Sequence, residues 1–393
     1  RNLSENATTI LLQAFNTLWE NDYFLDTWHH ATVIPIAKPG KDDTDPSNYR
    51  PIALTSCICK IMERMISNRL MWYLETNNLI SPAQSGFRKQ RGTMDHVVRL
   101  ETFIREGLAK KQHVVAIFFD LEKAYDTTWK HGILMDLKKA GLKGHLPRFI
   151  QNFLEDRTFR IRINSTFSDT YKQEAGVPQG SILSTTLFNM KINDIVKCCS
   201  TSTECFLYVD DFVICYRSTN MTIIERQLQN ALNKLQSWAD QNGFKFSRAK
   251  TTCIHFCHKR KLHLDPQLSL GGTQIPVVPE TRFLGVIFDK KLNFKAHIKY
   301  IKDKCLKALN LIKVVANTRW GADQDTLLKL YRALVRSKLD YGSYVYGSTR
   351  DSYIKVLEPV ANQALRLCLG AYRTSPIVSL QVIANEPPLQ LRR

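Results

Sequence analysis

The chain has 393 residues with 55 Lys or Arg against 36 Asp or Glu, a formal net charge of +19. That excess says nothing of fold, but it favours a polyanionic partner, nucleic acid before an anionic membrane surface. Hydrophobic content of 44% and charged content of 23% fit a globular protein of two or three subdomains, and no apolar run is long enough to span a bilayer. No signal peptide is visible, and a chain that starts at Arg1 and ends at Arg393 reads as a fragment or an excised domain. The ten cysteines are scattered without a disulfide framework, which predicts reduced thiols in an intracellular compartment.

In chain order, residues 3–19 carry apolar positions at helical spacing. Trp28 to Ile36 reads as a strand that breaks at Lys38-Pro39-Gly40-Lys41. Pro51 disfavours a helical Arg50, so residues 48–54 are extended. If the two segments pair, Lys38, Lys41 and Arg50 converge on phosphate; a solvated turn is the plain alternative. A helix is predicted over 57–75, with Ile58, Ile61, Met62, Met65, Ile66 and Leu70 inward. The Gly-punctuated loop 81–93 then leads into a helix capped at Thr93 and reaching Lys110. Arg88, Lys89 and Arg91 in that loop are candidate phosphate-backbone contacts, or simply solvated charges.

The run from Val114 to Phe119 is apolar throughout and ends at Asp120, as a strand buried on both faces would. A helix cap is the alternative role for that acid. Gly176-Val177-Pro178-Gln179-Gly180-Ser181 makes a turn ahead of a helix, where a backbone can pass close to a ligand. Residues 204–216 place Asp210 and Asp211 between two apolar runs, the pattern of a hairpin with a carboxylate pair at its tip. Two acids so close repel each other unless a cation is near. With Asp120 they form three carboxylates on strand ends, the oxygen chemistry that suits Mg²⁺.

A helix over 222–241 follows, then two short strands about a basic turn over 243–256. Strand, helix, hairpin, helix, strand is the order of a split βαβ sheet. Cys253, His255, Cys257, His258 and His263 lack a C-x2-C knuckle and read as strand residues rather than a zinc site. Past Lys290 the pattern turns helical: Ile298, Ile301, Cys305, Leu309 and Ile312 share one face, and Lys295, Lys299 and Lys302 line another.

The order of IPIAKPGKD, NYRPIALTS, SPAQSGFRKQRGT, FFDLEKAYD, GVPQGSILSTTLFNMKINDI, YVDD, GFKFSRAKT and FLGVIFD resembles the reverse transcriptase of non-LTR retrotransposons, close to the jockey and I-element groups. The pieces cover about residues 30–290. Thr185 stands where the family commonly has Pro, and Val209 where its LINE members usually have Ala. The resemblance implies an α+β right-hand polymerase: a leading helix over 1–17, fingers and palm over 18–290, and a helical thumb or connection over 291–393. It implies RNA-directed DNA synthesis on an RNA template from a DNA primer, consuming dNTPs, in the nucleus and without a membrane. Asp120, Asp210 and Asp211 would hold two Mg²⁺ ions, with Mn²⁺ as a substitute. The Leu121 carbonyl would add a ligand, Tyr125 would exclude a ribose 2′-OH, and Gln179 would lie against the nucleotide. Lys38 and Arg50 would grip the triphosphate, and Lys250 would donate a proton to pyrophosphate. Phe283 to Phe288 resembles the primer-grip strand, and Lys295, Lys299 and Lys302 would follow a hybrid duplex. A non-catalytic RNA binder has no need of the three acids. An RNA-dependent RNA polymerase is opposed by Tyr125.

Overall fold

The computed structural model describes residues 3–258, 264–317 and 319–392. Helix α1 (Glu5–Glu20) begins at Ser4, whose hydroxyl accepts from the Ala7 amide, as an N-cap should. Strand β1 (His30–Ala37) pairs antiparallel with β2 (Tyr49–Leu54), setting Ile36 opposite Arg50. The predicted strand from Trp28 starts two residues late, because Asp26–His29 forms one helical turn that buries Trp28.

Helix α2 (Cys57–Thr76) forms where expected but presents a different face. Met62, Ile66 and Leu70 are buried as predicted, whereas Ile58, Ile61 and Met65 are exposed. Their places inside are taken by Glu63 and Ser67, which find polar partners on another helix. Helix α3 (Thr93–Ala109) is capped by Gly92 rather than Thr93: the Gly92 amide donates to Asp95 Oδ2 at 2.6 Å.

Strand β3 (His113–Phe119) is buried at every residue. Helix α4 (Ala124–Thr127) follows it, and β4 (Thr158–Ile163) returns to lie parallel to β1. Then come α5 (Ile182–Ile192), β5 (Glu204–Tyr208), β6 (Asp211–Ser218), α6 (Met221–Asn242) and β7 (Thr252–Phe256). Helix α6 is bounded by Asn220, which accepts from the Thr222 amide, and by Gly243 at φ +74°, a start and a stop written in the sequence. The central sheet has the order β5-β6-β3-β7, with every neighbouring pair antiparallel. Read along the chain this is βαββαβ, the split arrangement expected.

Alternation explains the apolar run of β3. Val115, Ile117 and Phe119 pack with α5 and α6 on one face; Val114, Ala116 and Phe118 pack with α3 on the other. The second face is covered further by the hairpin β8 (Glu280–Phe283) and β9 (Val286–Asp289), then by helix α7 (Lys295–Val315). Two expectations change here. The 243–256 segment yields one strand, its first half making a single bridge between Phe246 and Leu121. Residues 283–288 are not one strand but a turn of the hairpin, at Leu284-Gly285, both at positive φ. A third core, around Phe15, Trp28, Leu70, Phe149 and Phe153, lies under α2.

Candidate active site

Tyr208 pairs with Asp211, which leaves Val209 and Asp210 as a two-residue turn. Val209 adopts φ +61°, a place where such turns take Gly, Asn or Asp. A β-branched residue held there costs on the order of 1–3 kcal/mol, so its surroundings must hold it. Gln84 does: its Oε1 accepts from the Val209 amide at 3.1 Å and from the Gly86 amide at 2.8 Å. The Ser85 amide donates to the Leu207 carbonyl, and the Leu207 amide to the Ala83 carbonyl, both at 3.0 Å. A Cβ on Gly86 would sit 2.4 Å from Val209 Cγ2, so this approach admits only glycine.

The register of the sheet assembles the acids. Phe119 pairs with Phe212 on β6, and Phe118 with Thr252 on β7. Continued past the strand ends, the same registers place Asp120 between Asp211 and Lys250, with neighbouring strands about 4.8 Å apart. Lys250 Nζ donates to Asp120 Oδ2 at 3.1 Å. Both side chains are open to solvent, so the pair contributes at most about 1 kcal/mol and yields easily to a competing cation.

Solvent also reaches Asp210 and Asp211, yet protein crowds them on the other sides. Burial and then the charges of Asp210 and Asp120 push the Asp211 carboxyl up to about 6. Asp210 is raised by burial and by Asp120, with Arg50 pulling the other way. Asp210 and Asp211, which cost free energy to ionise beside Asp120, make with it a cluster that suits a divalent cation. The set is all oxygen, fitting Mg²⁺ rather than a softer metal.

The remaining predicted residues surround this point. Tyr125 stacks on Phe188, centroids 4.6 Å apart and planes 18° from parallel. Burial and the nearby Asp210 both raise its phenol, which stays neutral. Gln179 is fixed twice: its carbonyl accepts from the Ala53 amide at 2.7 Å, and its Nε2 donates to Asp126 Oδ1 at 2.9 Å. Gly176 and Gly180, at φ +78° and +132°, let this loop press on α4 and β2; a Cβ on either would lie about 2.5 Å from a carbonyl oxygen of Asp126 or Ala53. Lys38 follows the Ile36–Arg50 pair by two residues, so Lys38 and Arg50 share one face of the β1–β2 hairpin. Lys38 Nζ donates to the Ser47 carbonyl at 2.9 Å. The bridge at Leu121 bonds through the Asp120 carbonyl and the Glu122 amide, leaving the Leu121 carbonyl out of it.

Arg88 is a correction. It is buried, grips Glu75 with two guanidinium nitrogens at 2.6 and 2.5 Å, and donates to the carbonyls of Ser81 and Gln84. Its charge is spent holding the loop that holds the Val209–Asp210 turn, and none is left for phosphate. Lys89 is exposed; Arg91 is exposed too, and also donates to the Pro82 carbonyl at 2.8 Å. On α7, Lys295 and Lys299 are exposed and Lys302 half-buried, with Lys295 lying 5.7 Å over the Tyr353 ring.

Glu63 was not foreseen. Fully buried, it reaches across to the start of α5, where its Oε2 accepts from Ser181 Oγ at 2.6 Å and from the amides of Ile182 and Leu183 at 2.7 and 3.2 Å. It thereby caps the helix that follows Gln179 and fixes the end of the glycine loop. The face predicted for this helix, set by Ile58, Ile61 and Met65, leaves Glu63 off it, so the spacing carries no signal for this acid.

A βαββαβ sheet with acids at one end of its inner strands defines the palm of a right-hand nucleic-acid polymerase. The family described as "Reverse transcriptase (RNA-dependent DNA polymerase)" matches residues 36–288, and the chain belongs to it. It is 29% identical over 377 residues to the RNA-directed DNA polymerase from mobile element jockey of Drosophila melanogaster, covering 94% of this chain and 41% of that protein. The probable RNA-directed DNA polymerase from transposon X-element of the same species is 25% identical over 371 residues, covering 94% and 40%. The chain thus spans about two fifths of the length of these relatives. Among solved structures, apo telomerase from Candida tropicalis aligns over 98% of this chain and 71% of its own, with a TM-score of 0.48 and 10% identity.

Proposed function

We propose that the chain is the RNA-directed DNA polymerase of a non-LTR retrotransposon, extending a DNA 3′-hydroxyl on an RNA template. The observation that carries this is the alignment of Asp120 with Asp211 across adjacent strands, beside the stacked Tyr125. Asp120, Asp210 and Asp211, with the Leu121 carbonyl, would hold two Mg²⁺ ions, which when bound supply charge to activate the primer hydroxyl and to stabilise departing pyrophosphate.

The chain's own residues do the positioning. Tyr125, wedged against Phe188, closes the space that a ribose 2′-OH would need, which selects dNTPs. Gln179, tethered to Asp126, forms the wall against the base pair and sugar. Arg50 and Lys38 approach from the β1–β2 hairpin and bind the triphosphate. Lys250, whose Nζ rests on Asp120, would donate a proton to departing pyrophosphate. Lys89, Arg91, Lys295, Lys299 and Lys302 supply sequence-independent backbone contacts, weakening as salt rises. Priming from a nicked chromosomal target is the reading that fits the jockey and X-element likeness.

Primer extension on an RNA template with purified protein tests the proposal. DNA synthesis from dNTPs, little from rNTPs, and none without a divalent cation is expected. Preferential rNTP incorporation would refute it in favour of an RNA polymerase, and template binding without synthesis in favour of a plain RNA binder.

A further inference from the structure

The far end of the same strands carries a different chemistry. Val115 pairs with His255 and Val114 with Phe256, so the register sets Cys257 opposite His113. Because side chains alternate, His113, His255 and Cys257 leave the sheet on one face, the face of Val115 and Cys253. One ligand atom from each lies within 4.8 Å of the other two. His113 Nδ1 and His255 Nε2 stand 2.9 Å apart, and His255 Nδ1 is 2.9 Å from Asp265 Oδ1. Both imidazoles are buried.

This is the layout of metal-ligating histidine: a carboxylate behind one ring nitrogen fixes the tautomer and turns the other nitrogen's lone pair toward the metal. In a tetrahedral zinc site the donor atoms stand about 3.3–3.7 Å apart, given Zn–N near 2.05 Å and Zn–S near 2.3 Å. The two rings need to part by only a few tenths of an ångström. Two nitrogens and a sulfur prefer Zn²⁺ to the hard cations suited to the acids, so the two sites do not compete.

We propose that His113, His255 and Cys257 bind one Zn²⁺, with Asp265 as the carboxylate that orients His255, and with one tetrahedral position left for a further ligand. The residues differ from the cluster that spacing suggested. Cys253 lies two residues nearer the acids and packs in the core. His258 turns its Nε2 to the Lys291 carbonyl at 2.9 Å. His263 lies outside the described residues. Since β7 is an edge strand, the ion would pin its end to the start of β3, roughly 20 Å along the sheet from Asp120. The assignment rests on this geometry and is independent of the polymerase reading.

Metal titration of the whole, chelator-treated chain tests it. The chain should take up one Co²⁺ with a thiolate-to-cobalt charge-transfer band, displaced by one equivalent of Zn²⁺ and not by excess Mg²⁺. Cys257→Ser should abolish the band, Asp265→Asn should weaken Zn²⁺ binding about 10–100-fold, and His258→Gln should leave both unchanged. A wild-type chain that binds no Co²⁺ with that band overturns the proposal, as does a band that persists in Cys257→Ser. Should Cys257→Ser not fold, His255→Asn is the replacement: loss of stoichiometric Zn²⁺ supports the site, and retention overturns it.

Discussion

Glu63 is more deeply buried than any of the three aspartates at the sheet end, yet both of its oxygens are claimed. Oε2 receives Ser181 and two helix amides, Oε1 receives the Cys59 thiol at 3.4 Å, and the buried Arg157 guanidinium adds opposite charge nearby. Asp120, Asp210 and Asp211 are more open but have only Lys250 as a direct ionic partner among the described residues. Depth of burial therefore does not mark the carboxylates proposed to hold the cations. Unmet charge does, because a neutralised acid is finished as structure while an unmatched cluster still attracts a cation.

Substitution should drive the two sets in opposite directions. Asp210→Asn is expected to cost roughly a thousandfold or more in dNTP incorporation, since the several kcal/mol supplied through the cations are lost. Template affinity, read by filter binding, should stay close to wild type. Full activity in this variant would refute the metal assignment.

Glu63→Ala should instead lower stability by about 2–3 kcal/mol, because it leaves the buried Ser181 hydroxyl and the Ile182 and Leu183 amides without their acceptor, which urea titration would register. Its activity loss would follow the displaced glycine loop, appearing mainly as a higher KM for dNTP. Unchanged stability would dissolve the contrast. Tyr125→Ala should leave DNA synthesis measurable and raise rNTP incorporation relative to dNTP by about 10–100-fold, the scale of one steric contact.

The smallest effect concerns pH. The folded Asp211 carboxyl sits near 6 against an ordinary 3.8, so the native state holds its proton more tightly than the unfolded chain does. The penalty is absent below about pH 4, grows between about 4 and 6, and is complete above. Asp211→Asn should therefore melt slightly higher than wild type at neutral pH, without added metal, and the gap should close toward pH 4. A gap that widens on acidification would reverse the sign of the argument.

Much of this was legible in the chain itself. The unbroken apolar run of β3 announced burial on both faces, and the acids at its end and at the hairpin tip pointed to a shared cation once a helix cap and a solvated turn were weighed against them. Other parts depended on partners distant in sequence. Ile58, Ile61 and Met65 obey helical periodicity but face outward, because polar Glu63 and Ser67 are needed inside against Ser181 and Thr186. Arg88 precedes two exposed basic residues, Lys89 and Arg91, and is itself buried, since Glu75 lies thirteen residues back on a helix that folds over the loop. His113 could not be grouped with His255 by spacing when 142 residues separate them.

One apolar core runs without interruption from Val114, Ala116 and Phe118 of the sheet through Phe288 and Phe294 to Ile301, Leu309, Leu328 and Leu365 of the C-terminal helices. Those helices are welded to the strands that carry Asp120 and Asp211 by shared hydrocarbon. Exchanging this segment with that of a relative would fail unless the facing strand residues were exchanged with it, so lineages that share this fold are constrained to diversify the two together.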